Sequence, residues 1–507
     1  MARPDSATTS SPGASQTARD AQDVEQGRRV PHEWMILAVV SLAQLMVVLD
    51  VTIVTIALPR AQEDLGFTNA TRQWVVTAYA LSFGSLLLVG GRFADLFGRR
   101  TALVAGLVGF GMASALAGIA PNVGVLIVGR ALQGMFGALL APAALSVLTT
   151  TFTRPAERNR AFAVYGAVAG AGGAIGLLLG GVLTEYLNWR WTLFVNLLIA
   201  GVALVGARMF VPNRRPEGRP ALDLPGTALA CSGLFLVVFG FSRAEQRGWS
   251  SPQFFVSLII GVALLAAFVR WQARARHPLL PARVVNERNR GASFLGMFIT
   301  GAGIFGVFLF LTYYMQLILK YSPVKTGLAF LPMVAALMVA AQIATVTLLP
   351  RVGPKPVVPL GMGLGAIGML WLTQLDLTSG YAAHVLPPLL VLGSGMGLIF
   401  APAMAMATYG VGENDAGVAS AMVNTCQQVG GSIGVAMLSS LAATAAANYA
   451  KGKAPTGLVQ AQAQLHSYAT AYRWSAAFFV VGMVICFFLY RSGAPKLDPE
   501  GQGAVHM

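Results

Sequence analysis

The chain has 507 residues, 55% hydrophobic and only 11% charged, where soluble domains carry roughly 25% charged residues. That composition excludes an ordinary soluble enzyme and describes a polytopic membrane protein. A formal charge of +15 does not indicate a nucleic-acid partner, because the Lys and Arg are scattered through short loops rather than gathered on one arm or face.

Residues 1–33 are polar and Arg-bearing with no apolar core. They read as a disordered tail that stays on the cytoplasmic side, not as a cleaved signal peptide. An apolar run of about 20 residues crosses the hydrocarbon core. Fourteen such runs follow, near 34–58, 72–92, 101–119, 124–148, 161–183, 192–211, 225–242, 253–271, 292–318, 326–350, 357–375, 384–407, 417–444 and 471–490. With the tail inside, inner loops and tails hold 24 Lys and Arg against 10 in outer loops, and Arg130 is left as the one cation deep in a span. This bias supports that orientation, and an even number of spans returns the tail 491–507 to the cytoplasm. The longest outer loop, about 445–470, is rich in Ala, Gln and Lys and leaves no room for an external catalytic module.

The first span carries Asp50 in Val47-Val48-Leu49-Asp50-Val51-Thr52. A carboxylate at that depth costs about 2.5–3.5 kcal/mol on insertion scales unless paired, hydrated or protonated. Two readings stand: a group that takes and releases protons as its surroundings change, or a structural partner for a helix terminus. The turn after the second span, Gly91-Arg92-Phe93-Ala94-Asp95-Leu96-Phe97-Gly98-Arg99-Arg100, packs charges and glycines at the water boundary. In the fourth span, Arg130-Ala131-Leu132-Gln133-Gly134 buries a guanidinium that must find carbonyls, Gln133 or a carboxylate, and Asp50 is the candidate partner. The fifth span repeats glycines four apart, with Gly172, Gly176, Gly180 and Gly181 allowing close helix approach. Trp189-Arg190-Trp191 follows, with indole rings suited to anchoring at the membrane interface. Later polar residues in or beside spans, Gln316, Asn424, Gln427 and Gln428, are candidates for lining a cavity with Gln133, or for helix–helix hydrogen bonds.

Other signals carry no chemistry. Gly363-Leu364-Gly365-Ala366-Ile367-Gly368 fits a dinucleotide fingerprint but lies inside a span with no strand before it. No phosphate-binding Gly-Lys-Ser/Thr loop exists, the five histidines are dispersed, and Cys231, Cys426 and Cys486 sit in apolar runs as small hydrophobes. No cofactor, metal or enzymatic activity is expected.

The 91–100 turn resembles the signature loop of major facilitator superfamily transporters: Gly91, Ala94, Asp95, Gly98 and Arg99 match, while Phe93, Leu96 and Arg100 replace Leu, Arg and Lys. Arg130-x-x-Gln133-Gly134 resembles the family's fourth-helix motif. The glycines of the fifth span resemble its antiporter motif, with Leu177 where that motif has Pro. Further matches run through Leu222-Asp223-Leu224-Pro225-Gly226, Tyr314-x-Gln316 and Gly417-Val418-Ala419-Ser420. The resemblance is to the fourteen-helix drug:proton antiporters. It implies an all-α fold with an N-terminal six-helix half over 34–211, a two-helix insertion over 212–291 and a C-terminal six-helix half over 292–490. Pro350-Arg351-Val352-Gly353-Pro354-Lys355 occupies the loop equivalent to 91–100 in the second half.

The resemblance further implies proton-coupled export of amphipathic drugs or antibiotics across the cytoplasmic membrane of a bacterium, by a monomer working through alternating access. Asp50 and Arg130 are then the coupling pair, and Asp95, Arg99 and Arg100 latch the cytoplasmic side. A dedicated metabolite or siderophore exporter, an importer, and a non-transporting receptor are the alternatives.

Overall fold

A computed structural model describes residues 32–152, 155–213, 223–247, 249–275, 282–411, 413–454 and 456–493. The tail 1–31, the end of the C-terminal tail and parts of both linkers of the insertion lie outside the described residues. Fourteen long helices make up almost all of them, and no strand occurs among them. They are α1 (Glu33–Leu65), α2 (Asn69–Phe97), α3 (Arg99–Gly118), α4 (Val123–Thr151), α5 (Pro155–Tyr186), α6 (Trp191–Phe210), α7 (Leu224–Arg247) and α8 (Pro252–Gln272), then α9 (Arg288–Tyr313), α10 (Pro323–Ile343), α11 (Pro354–Leu372), α12 (Leu386–Thr408), α13 (Glu413–Ala450) and α14 (Gly457–Leu489). By length and composition, twelve are apolar enough to cross a membrane. The other two are α2 and α5, of which Ala171–Tyr186 is apolar.

The caps explain where the helices begin. Thr68, Asn122, Ser251, Ser322 and Thr456 each accept a backbone N–H of the first turn, and proline opens α8 and α10 where its missing N–H costs nothing. α2 and α3 are separated by Gly98 alone, whose φ of 92° a side chain would strain, and Gly353 makes the same junction before α11 at φ 76°. α9, α10 and α12 each carry a five-residue π turn, at Tyr314–Ile318, Ala344–Leu348 and Tyr381–Val385.

Packing follows one plan twice. In the first six helices the contacts are α1 with α4, α5 and α6, α2 with α4, and α3 with α4 and α6. In the last six they are α9 with α12, α13 and α14, α10 with α12, and α11 with α12 and α14. The two sets meet along α5–α10 and α2–α13, and the α7–α8 hairpin leans on α2 and α13 at that second seam. Lipid offers no hydrophobic drive for helix association, so close approach matters. A Cβ on Gly176 would stand 2.0 Å from Thr52 Oγ1, and one on Gly181 would stand 2.7 Å from the Pro323 carbonyl oxygen. Thus the glycine row of α5 serves α1 within its set, and Gly181 serves α10 across the seam.

Two expectations are corrected. The segment read as a long outer loop, 445–470, is mostly helix: only 451–456 separates α13 from α14. Ala and Gln are good helix formers and continue the helices past the apolar runs, and the Tyr449 hydroxyl donates to Gln462 Oε1 at 2.9 Å to join the two extensions. Arg130 is also not the one buried cation, since Arg72 is 7% exposed and Arg290 6%. Both lie near helix ends, where sequence places them at the water boundary.

Candidate functional site

Five helices of the first set converge on Asp50. The carboxylate is wholly buried on α1, and Arg130 on α4 is 2% exposed. Arg130 Nη1 donates to Asp50 Oδ2 at 2.5 Å and to Gln133 Oε1 at 2.9 Å. Its Nε donates to the Val75 carbonyl of α2 at 3.1 Å, and its guanidinium lies 4.4 Å from the centroid of the Tyr79 ring. Asp50 Oδ1 accepts from Gln133 Nε2 at 3.0 Å and from Asn196 Nδ2 of α6 at 2.7 Å. Gln133 Nε2 also donates to Ser114 Oγ of α3 at 2.7 Å.

The local sequence explains this convergence. Arg130 and Gln133, three apart on α4, share one face of the helix, and Gly134 beside them lets α4 approach α2 so closely that a Cβ there would stand 2.3 Å from the Tyr79 carbonyl oxygen. A buried ion pair balances its desolvation cost only when the remaining donors and acceptors are also met. Here Asn196, Gln133, Val75 and the Tyr79 ring meet them. The buried pair therefore joins α1 to α4, and each charge depends on the other for its counter-ion.

Asn196, Ser114, Tyr79 and the Val75 carbonyl are the members of this cluster that the sequence did not point to. An amide within an apolar run was the available signal for Asn196. Gln133 lies in the cluster, wholly buried. The Trp189 ring, expected at the membrane interface, is instead buried and its Nε1 donates to Asp64 at 2.9 Å, with Arg190 Nη1 on the same carboxylate oxygen at 2.6 Å. Trp191 is the exposed ring of the pair, at 42%.

In the 91–100 turn, Gly91 faces Pro142, Gly98 makes the α2–α3 junction, Arg99 is exposed and Arg100 Nη2 donates to the Arg208 carbonyl at the end of α6 at 2.7 Å. The Asp95 side chain lies outside the described residues. Gly172 approaches Leu45 and Val48, and Gly180 approaches Ile53. Gln316 Nε2 donates across the seam to the Ile56 carbonyl at 3.1 Å. Asn424 and Gln427 are half-buried on α13, and the backbone of Gln427 is the surface on which Gly301 of α9 packs. No three His, Cys, Asp or Glu side chains gather into a metal-binding group among the described residues.

The seam is tied at the end where α1 reaches Leu65. There the Tyr313 hydroxyl donates to Gln62 Oε1 at 2.7 Å, Glu185 Oε2 accepts the Val324 N–H at 3.0 Å, and Arg72 lies over the Tyr313 ring.

Comparison with known proteins accounts for this architecture. The sequence profile of the Major Facilitator Superfamily matches residues 40–435. The chain is 46% identical over 477 residues to the puromycin resistance protein of Streptomyces alboniger, covering 94% of this chain and 95% of that one. It is 41% identical over 399 residues to the cephamycin export protein of Amycolatopsis lactamdurans, covering 78% and 82%. An auto-inhibited POT family peptide transporter has the same fold, with a TM-score of 0.64 at 15% identity over 92% of this chain and 98% of that one. With its repeated six-helix packing and a profile match over most of its length, the chain belongs to the Major Facilitator Superfamily, a multi-pass membrane transporter and not an enzyme.

Proposed function

We propose that the protein exports amphipathic antibiotics or drugs from a bacterial cytoplasm in exchange for protons. The observation that carries the export reading is the near full-length likeness to a puromycin resistance protein, reinforced by a second relative whose name is an export protein. All fourteen long helices cross the membrane, both termini lie in the cytoplasm, and a single chain suffices. The charge bias of the loops supports this orientation.

In this orientation the Leu65 end faces outward, so the ties between Tyr313 and Gln62 and between Gln316 and Ile56 describe a state closed to the outside. The six-helix sets α1–α6 and α9–α14 are the bodies that rock, with α7–α8 as an inserted pair beside the α2–α13 seam. Transport alternates as that seam and the one at α5–α10 open at one end and close at the other. Asp50 takes a proton when the core is open outward. Neutralised, it releases Arg130, which keeps the Val75 carbonyl and Gln133 as its partners, and α4 shifts against α1. Release of the proton inward restores the ion pair. One charge moving through 100 mV supplies about 2.3 kcal/mol, enough for roughly a 50-fold gradient of solute. Asp95, Arg99 and Arg100 close the cytoplasmic end when the outer end opens. Gln316, Asn424 and Gln427 face the cargo as the halves part.

The test is puromycin accumulation in cells lacking other pumps. Wild-type protein lowers it, a protonophore restores it, and Asp50→Asn and Arg130→Ala, expressed at equal levels, leave it as high as in cells without the protein. Export that persists undiminished with a protonophore removes the proton from the mechanism; no change in accumulation of any antibiotic in a broad panel removes export.

A further inference from the structure

Where α1, α2, α9 and α14 meet at the Leu65 end, the guanidinium carbon of Arg72 lies 4.0 Å from the centroid of the Tyr313 ring. Arg72 is 7% exposed and Tyr313 2%. Tyr468 of α14 stands within electrostatic reach of both and packs on Phe310 of α9, with ring centroids 5.9 Å apart. The Tyr468 hydroxyl is buried with no hydrogen-bond partner, as is that of Tyr472 one turn further along α14. A buried hydroxyl left unmet is costly, so these groups gain a partner in any state that uncovers them.

Arg72 comes from the first six-helix set and the tyrosines from the second. A cation of one half therefore covers an aromatic face of the other. When the halves part at this end, α2 carries the guanidinium away and leaves an electron-rich ring face beside unsatisfied phenol hydroxyls. Such a surface favours an organic cation that also offers a hydrogen-bonding group.

We propose that Tyr313 and Tyr468 form an exit subsite for the cationic group of an exported molecule, occupied by Arg72 while the outer end is closed. The inference rests on the export reading and deepens it. Arg72 is an internal competitor: on closure its guanidinium takes back the ring face, displaces the cargo outward and blocks its return. Tyr313 and Tyr468 select for positive charge, while neutral cargo leaves without using them.

The test measures equilibrium binding of two probes, cationic ethidium and neutral chloramphenicol, to the purified full-length protein in lipid nanodiscs. Arg72→Gln removes the competitor, so ethidium binds about twofold to thirtyfold more tightly, the range expected of a cation–π contact, while chloramphenicol binding is unchanged. Arg72→Lys retains a competing cation and stays near wild type. In the Arg72→Gln protein, adding Tyr313→Phe keeps the gain and adding Tyr313→Leu abolishes it. Should Arg72→Gln fail to fold, Tyr313→Leu alone carries the test, raising the ethidium concentration that half-saturates export severalfold without changing that for chloramphenicol. Equal shifts for both probes, or no shift for ethidium, overturn the subsite. Failure of the export reading is seen separately, as wild-type protein that lowers the cellular accumulation of neither probe.

Discussion

At the crossing of α1 on α5, Gly176 lies against the Leu49 carbonyl and Thr52, and the residue after Leu49 is Asp50, the centre of the polar cluster. At the matching crossing of α9 on α13, Gly434 lies against the backbone of Ala302, and the residue after Ala302 is Gly303, on which the Phe479 ring rests. Phe479 belongs to a buried apolar cluster that also holds Met362, Met369, Leu389 and Leu392 of the second half. One packing plan is therefore compatible with an ion pair and with an apolar plug. The fold does not need the charges, so their several-kcal/mol desolvation cost in one half alone calls for a use other than packing, which favours the coupling role proposed for Asp50 and Arg130.

The largest expected effect breaks the charged half. Arg130→Met leaves Asp50 buried without its counter-ion and destabilises the protein by about 3–5 kcal/mol, while Arg130→Met with Asp50→Leu recovers much of that loss by making the first core resemble the second. Thermal unfolding of the purified protein decides it: single and double variants with the same midpoint would show that the two charges do not balance each other. Proton-coupled export is lost in both.

A smaller effect tests the apolar half. Gly303→Ala drives a methyl to 2.6 Å from the Phe479 ring, and overpacking of this kind costs about 1–3 kcal/mol. An unchanged unfolding midpoint would mean that Phe479 swings aside and that the plug is loose.

The smallest effect compares two matching turns. Before α4, the neutral Asn122 caps the helix through Val125 N at 3.1 Å. Between α11 and α12, Asp376 Oδ1 instead accepts from Thr378 Oγ1 at 2.8 Å, Thr378 N at 2.7 Å and Ser379 Oγ at 3.0 Å. Those donors, led by the Thr378 hydroxyl, hold the Asp376 carboxyl below the ordinary carboxylate range. Because the folded value is the lower one, this contribution to stability is present above the unfolded carboxyl pKa of about 3.9 and is lost as pH falls through the folded value. Asp376→Asn should lower the unfolding temperature slightly at neutral pH and leave it unchanged at the acid end, flattening the acid side of the profile; a neutral-pH change as large as that of Gly303→Ala would assign the turn a structural role beyond its charge.

Much of this was legible in the chain. Every expected span lies in or across a long helix, because apolar length and caps are local properties. The glycine row of α5 and the polar pair Arg130 and Gln133 were visible as spacings along one helix. Where reading failed, the cause was local too. The 445–470 segment lacked hydropathy but not helix propensity, and Trp189 and Arg72, at the ends of apolar runs, gave no sign of being folded inward.

By itself, then, the sequence determined a serial membrane-spanning helical protein, the depth of Asp50 and Arg130, and the faces on which its glycines lie, since helical periodicity relates residues three or four apart. Only the tertiary structure decided that Asn196 and Ser114 complete the Asp50 cluster, that the matching site in the second half is filled by Phe479, and that Arg72 covers Tyr313. Those partners come from helices far apart in the chain, and the choice among neighbouring helices is made by how closely their backbones can approach, which no spacing along a single helix encodes.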